Sequence, residues 1–154
     1  MKREYKSVGI IIISRDSDRI FMLHRVNRPI TWSGLAGGVE KGETPVETIK
    51  REIKEEIGLD PNTIQNINVV GTSDTMGHTH YVTVGFVDTE FEVPNLLIEE
   101  NDDYGWFDEN NLPSPLHPGF MKSLNMVKNS LNLTENIIKI EVKKVLNEQK
   151  FNKR

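Results

Sequence analysis

The stretch Thr44 to Gly58, TPVETIKREIKEEIG, limits what this chain can fold into more than any other. Thr44 can cap a helix, Pro45 suits the first helical position, and Glu47 falls where a capping box needs it. Gly58 supplies a left-handed stop, with the apolar Leu59 directly after it. The expected helix therefore runs from about Pro45 to Ile57. At about 100° per residue, Val46, Ile49, Ile53 and Ile57 make one narrow apolar stripe, which is expected to bury against the sheet.

The charges on this helix are sorted by sign. With Ile53 at zero, Glu56 lies at about −60°, Glu52 at about −100° and Glu55 at about −160°. Lys50 and Lys54 take the opposite flank. Like charges one turn apart repel, so either this flank is simply solvated or a cation belongs among the acids. The sorting favours the cation, and carboxylate oxygens suit a hard ion such as Mg²⁺ or Mn²⁺. Arg51 sits beside Glu55 and can orient it by a charge-assisted bond. Before the helix, Gly37 and Gly38 allow backbone to come close to a ligand or metal.

Around this helix the pattern is that of a layered domain. YKSVGIIIIS reads as a largely buried strand, RDSD as a turn, and RIFMLHRV as the second strand of a hairpin. RPITWSGLAGG reads as a loop leading to the helix. IQNINVVGTSD and HYVTVGFVDTEFEV are further strands broken at TMGH, and VPNLLIEENDD is an acidic loop before a short strand, YGWF. FMKSLNMVKNSL is helical. In the tail, Ile138, Val142, Val145 and Leu146 fit a helical face, and Thr134 is a candidate cap, so a separate C-terminal helix is expected over about 134–150. At 154 residues the chain is read as one domain, 1–154, of α/β (α+β) class with a mixed sheet packed between helices. The formal net charge of −4 argues against nucleic acid as a partner. With no cysteine there is no thiolate metal site. The apolar run Val8 to Ile13 is short for a signal peptide and nothing reaches membrane-spanning length. These features lead to an expectation of a cytoplasmic protein that does not engage membranes.

The residues Gly37, Glu43, Arg51-Glu52-Ile53, Glu55-Glu56 and Gly58-Leu59 fill every specified position of the pattern G-x5-E-x7-R-E-U-x-E-E-x-G-U, where U is apolar. In this the chain resembles the Nudix hydrolases. One departure is Ala36, where many members carry a proline before the two glycines. The resemblance implies an α/β/α sandwich with a mixed sheet. It also implies a hydrolase of nucleoside diphosphates linked to another moiety, with Mg²⁺ or Mn²⁺ as cofactor. By position, Glu52 and Glu56 resemble the principal metal ligands, with Glu55 assisting and Gly37 contributing its carbonyl. Glu43 resembles the supporting first glutamate and Arg51 the residue that holds the acids in place. Short likenesses to small MutT-type enzymes put nucleoside triphosphates first as substrates. ADP-ribose, sugar nucleotides and dinucleoside polyphosphates are the alternatives, and a non-catalytic nucleotide sensor is the alternative of another class. Paired subunits are common in the family, so a homodimer is left open.

The general base is either a helix glutamate or one of Glu99 and Glu100 in the acidic loop; of the loop pair, Glu100 is carried as the catalytic candidate. Arg25 and Arg28 are candidates for gripping phosphate through the guanidinium fork. Gly38 is a substrate-binding candidate through its backbone. Trp32 is a candidate for stacking on a base, with packing as the competing reading. His78 and His80 point to the same side of a strand, and with no third ligand evident they are read as polar surface. His24, Tyr104 and Trp106 are read as structural. The C-terminal lysines Lys143, Lys144, Lys150 and Lys153 are read as a solvated helix end.

Overall fold

The computed structural model describes residues 4–152. The chain runs through β1 (Tyr5–Ser14), β2 (Ile20–Arg25), β3 (Trp32–Ser33), β4 (Leu35–Gly38), α1 (Pro45–Ile57), β5 (Gln65–Thr75), β6 (His78–Val87), β7 (Asn101–Phe107) and α2 (Phe120–Asn152). All seven strands join one sheet, ordered β3-β2-β1-β6-β5, with β4 beside β1 and β7 beside β2. β1 and β6 are parallel and the other named pairs are antiparallel. The mixed sheet lies between α1 and α2, the layered architecture expected from the sequence.

The unbroken apolar run of β1 follows from this layering, since a strand covered on both faces has no polar side to show. Val8, Ile10 and Ile12 point to the face covered by Ile49, Ile53 and Ile57 of α1. Ile11, one register position away, points to the face covered by Phe120, Leu124 and Val127 of α2. β2 divides likewise, with Phe21 and Leu23 on the α1 side and Ile20 and Met22 on the α2 side. Ile49, Ile53 and Ile57 have no exposed area and Val46, in the first turn, is half-buried, so the stripe read on the helical wheel is buried along most of its length.

Three expectations are corrected. RPITWSGLAGG is not a plain loop: Leu35 to Gly38 pair with Ile10 to Ser7 of β1, and Trp32 and Ser33 pair with β2. Such short pieces carry too few residues for a period to show. The strand expected at YGWF begins earlier, at Asn101, so the acids Asp102 and Asp103 are in a strand with their side chains exposed. The C-terminal segment 134–150 is not a second helix: it is the distal part of one 33-residue helix. Thr134 does not cap it, because its hydroxyl donates to the Ser130 carbonyl 3.1 Å away, inside the helix. Beyond Leu131 the helix leaves the sheet, and Leu133, Ile137 and Ile140 are more than half exposed.

Candidate active site

α1 begins and ends as its sequence dictates. Thr44 Oγ1 accepts the Glu47 amide at 3.2 Å, and Gly58, at φ +67°, closes the helix with its N–H on the Lys54 carbonyl. The Glu47 carboxylate accepts from the Thr44 hydroxyl at 3.1 Å, rather than from its backbone amide as a full capping box would have it. The caps fix where the helix starts and stops, and the burial of Ile49, Ile53 and Ile57 turns its acids to the edge of the sheet.

Arg51 is the hub of the upstream half. Its Nε donates to Glu43 Oε2 at 2.9 Å and its Nη2 to Glu43 Oε1 at 3.0 Å, a two-pronged pair. Nη2 also donates to the Gly38 carbonyl at 2.9 Å, and Nη1 to Glu52 Oε1 at 2.8 Å and Glu55 Oε2 at 3.2 Å. Glu43 further accepts the Glu40 amide and the Thr48 hydroxyl. Arg51 first, then the Glu40 amide, pull the Glu43 carboxyl down to about 2. The Arg51 guanidinium is held still more firmly protonated, mainly by Glu43. Gly37 lies directly against the Glu52 carboxyl group: a Cβ there would collide with Glu52 Cδ, Cγ and Oε1. Arg51 tethers that carboxylate, so it is not free to step aside, and the position requires glycine.

The downstream half differs. Glu56 is 9 % exposed, and its Oε2 is buried with no hydrogen-bond partner. Burial, followed by the charges of Glu52 and Glu100, pushes its carboxyl up to about 8, with Arg25 opposing. Burial also raises Glu52, against the pull of Arg51. Glu55 is the most open of these acids, its side chain 54 % exposed.

The acidic loop closes over this end. The Asn95 amide donates to the Ile57 carbonyl and the Leu97 amide to the Glu56 carbonyl, which straps the loop to the last turn of α1. The Glu100 carbonyl then accepts the Val26 amide, just past β2. Glu100 is thereby fixed beside Arg25 and Glu56, and all three, with Gly37, line one cleft of about 690 Å³. Such a volume suits a nucleotide-sized ligand.

A buried carboxylate oxygen without a partner is costly unless something positive or donating meets it. The donor set here is all oxygen, namely the carboxylates and the neighbouring backbone carbonyls, and fits Mg²⁺ or Mn²⁺. Among the described residues, no three His, Asp or Glu side chains already surround one point. Instead Arg51 holds the oxygens of Glu52 and Glu55 that face it.

The NUDIX domain profile matches residues 4–127. The chain belongs to the Nudix family. Among curated relatives, dihydroneopterin triphosphate diphosphatase of Escherichia coli K12 is 39 % identical over 54 residues, 35 % of this chain and 36 % of that protein. An RNA pyrophosphohydrolase of Francisella tularensis subsp. mediasiatica is 38 % identical over 66 residues, 43 % of this chain and 42 % of that protein. The matched segments thus span well under half the length of these relatives. Among solved structures, a MutT Nudix hydrolase from Burkholderia pseudomallei aligns with a TM-score of 0.66 at 23 % identity, covering 82 % of this chain and 99 % of that one. The Nudix domain of Shewanella oneidensis NrtR, complexed with ADP ribose, aligns with a TM-score of 0.66 at 15 % identity, covering 85 % of this chain and 90 % of that one. At these identities the two structures speak for the fold alone.

Not every candidate reaches this Nudix cleft. Arg28 is exposed on the turn after β2 and is not among the cleft residues. Trp32 packs between His24 and Phe107, with ring centroids 5.1 Å away on each side, which is the packing reading. Gly38 turns its carbonyl to Arg51 rather than to the cleft. Tyr104 and Trp106 pack on Phe21, as structural residues do. His78 and His80, read as polar surface, instead line the cleft together with Ser7, His117 and Lys122. Their spacing on one side of β6 was the available signal; the serine that joins them comes from β1, distant in sequence.

Proposed function

We propose that this chain hydrolyses the pyrophosphate bond of nucleoside diphosphate derivatives with the help of Mg²⁺ or Mn²⁺. Its preferred substrates are nucleoside triphosphates, split to monophosphate and pyrophosphate. The observation that carries this reading is Glu56, a carboxyl group buried at a cleft wall with one oxygen unpartnered and three further acids, Glu52, Glu100 and Glu55, acting on it. A cation, a proton or a hydrogen-bond donor relieves such a group, and with several acids gathered beside it a cation does so best. The names of the relatives, a triphosphate diphosphatase and a pyrophosphohydrolase, both concern cleavage between phosphates and support the same chemistry.

Glu52, Glu55, Glu56 and the Gly37 carbonyl would hold the metal. The bound cation supplies positive charge against the phosphate oxygens, which otherwise repel an attacking water. Arg51 sets the direction of Glu52 and Glu55, and Glu43 in turn fixes Arg51. Arg25 offers its guanidinium to the phosphates from the cleft wall. Glu100, an exposed carboxylate of the same cleft, takes the proton of the water as its oxygen bonds to phosphorus. The bridging oxygen leaves with the electron pair on the pyrophosphate. Positioning and electrostatics account for the rate, with no covalent enzyme intermediate.

The test is incubation of pure protein with a panel of nucleoside triphosphates, ADP-ribose, sugar nucleotides, dinucleoside polyphosphates and a 5′-triphosphorylated RNA oligonucleotide, with either metal, followed by product identification. Monophosphate plus pyrophosphate supports the reading. Monophosphate plus a sugar phosphate moves the substrate to the diphosphate-linked class. Nucleotide binding without cleavage under any of these conditions would make the protein a sensor.

A further inference from the structure

The two ends of α2 have unlike surroundings. Phe120, Leu124 and Val127 are buried on the sheet, with Leu131 packed beside them. At about 100° per residue these four stand within about 40° of one line along the helix, and Ile138, Val142 and Val145 stand within about 40° of the same line. One apolar row therefore continues down the helix, covered by the sheet at one end and bare at the other. Beyond Leu131 no described residue of α2 belongs to the hydrophobic core. Ile138, Val142, Val145 and the adjoining Leu146 are each at least half exposed.

A helix suited to water is not built this way. β-Branched side chains weaken a solvated helix, and here they make up the row. Lipid is a poor cover, because Glu141 and Glu148 border the row along one side. A second copy of the chain is a good one, since a row that meets itself is what a two-fold interface requires. Two such helices touching over about 30 Å bury on the order of 1,000 Å² between them, about the least that a stable interface needs. Their relative direction follows from the body of the protein. The sheet already occupies the near end of the row, so a partner helix laid parallel would drive its own sheet into this one. Laid antiparallel, with the two-fold axis near Val142, it carries its sheet to the far end. Glu141 then approaches its own copy, and its tie to Lys144 Nζ at 3.5 Å offsets part of that repulsion.

We propose that the distal half of α2 is a self-association surface, on which a second copy of this chain packs its own distal α2 antiparallel through Ile138, Val142 and Val145. Leu133, Ile137 and Ile140 lie on the opposite side of the helix and outside this seam. The surface is independent of the cleft and stands whether or not a nucleotide is cleaved there.

Sedimentation equilibrium on the full chain at micromolar concentrations reads the mass directly. Two chains are expected, or four if the opposite row pairs as well. Ile138→Asp combined with Val145→Asp puts charge into the seam and should return the mass to one chain. Both positions are exposed, so that monomer should keep its folded domain. The chain has no cysteine, so a single introduced thiol reports the direction of packing. Under oxidation with copper phenanthroline, Val142→Cys should link to its own copy, whereas Gln149→Cys, further along the same row, should not. A wild-type monomer overturns the proposal, and a monomer that floats with anionic vesicles would give the row to lipid instead. It is equally overturned if the double variant keeps the wild-type mass, or if Gln149→Cys links as readily as Val142→Cys.

Discussion

Glu43 and Glu56 belong to the same motif, yet the fold treats them in opposite ways. Glu43 is saturated: two guanidinium bonds, one backbone amide and one hydroxyl meet its oxygens, and its carboxyl falls to about 2. Glu56 is starved: it is more deeply buried, one oxygen meets nothing, and its carboxyl rises to about 8. The difference separates structure from reserve. Arg51 and Glu43 form the fixed frame, while Glu56 is left with a buried oxygen that no other described group meets. Burying Glu56 costs stability, whereas the bonds gathered around Arg51 contribute to it.

The largest effect expected is at Glu56 itself. Glu56→Gln should lower turnover about a hundredfold or more. The same change should raise the metal-free melting temperature, because the wild-type carboxyl is buried only by taking up a proton or by holding a repelled charge, and glutamine needs neither. A mutant that melts higher yet turns over normally would erase the contrast with Glu43. Next is Arg51→Ala, which strands Glu43 and Glu52 together; the urea midpoint of unfolding should fall, because two neighbouring carboxylates lose their shared donor. An unchanged midpoint would mean that the frame is not a frame.

Proton linkage sharpens the comparison further. The folded Glu56 carboxyl, near 8, lies above its ordinary value of 4.5. Between these values the folded state keeps a proton that the unfolded state has lost, so metal-free stability should fall as pH rises through this window and level off above it. Glu43, near 2 when folded, works in reverse: its contribution is complete above 4.5 and disappears as pH falls toward 2. Urea titrations at several pH values on the wild type and Glu56→Gln should therefore diverge above pH 5, and saturating Mg²⁺ should bring them back together. Parallel curves would place the pH dependence elsewhere. The smallest effect belongs to Glu55→Gln. With a side chain 54 % exposed, it should shift stability by no more than about 0.5 kcal/mol and reduce turnover less than Glu56→Gln.

The readable and unreadable parts of this molecule divide by sequence distance. The bounds of α1, its stripe, its caps and the sorting of its acids all follow from neighbours within a few positions, and the helix runs from Pro45 to Ile57 as its sequence implies. That Glu56 borders the buried stripe is a matter of angle alone. Its fate is not: the loop from Asn95 to Glu100 folds back on the end of α1 through backbone bonds that carry no side-chain signature. The two-residue strand at Trp32 and the four-residue strand at Leu35 were hidden because pairing partners, not propensity, make them strands. The long C-terminal helix looked like two because Thr134 resembles a cap, but a threonine caps only when its backbone leaves the helix.

By itself the sequence determined a short amphipathic helix with fixed ends, carboxylates gathered on one flank and a glycine turn in front of them. Those depend on local angles and capping bonds, which any fold would respect. The tertiary structure alone decided which carboxylate is matched and which is left bare, and that Ser7 joins His78 and His80 across two strands. Burial and long-range contact set the energy of a charge or a hydrogen bond, and neither exists until the layers close.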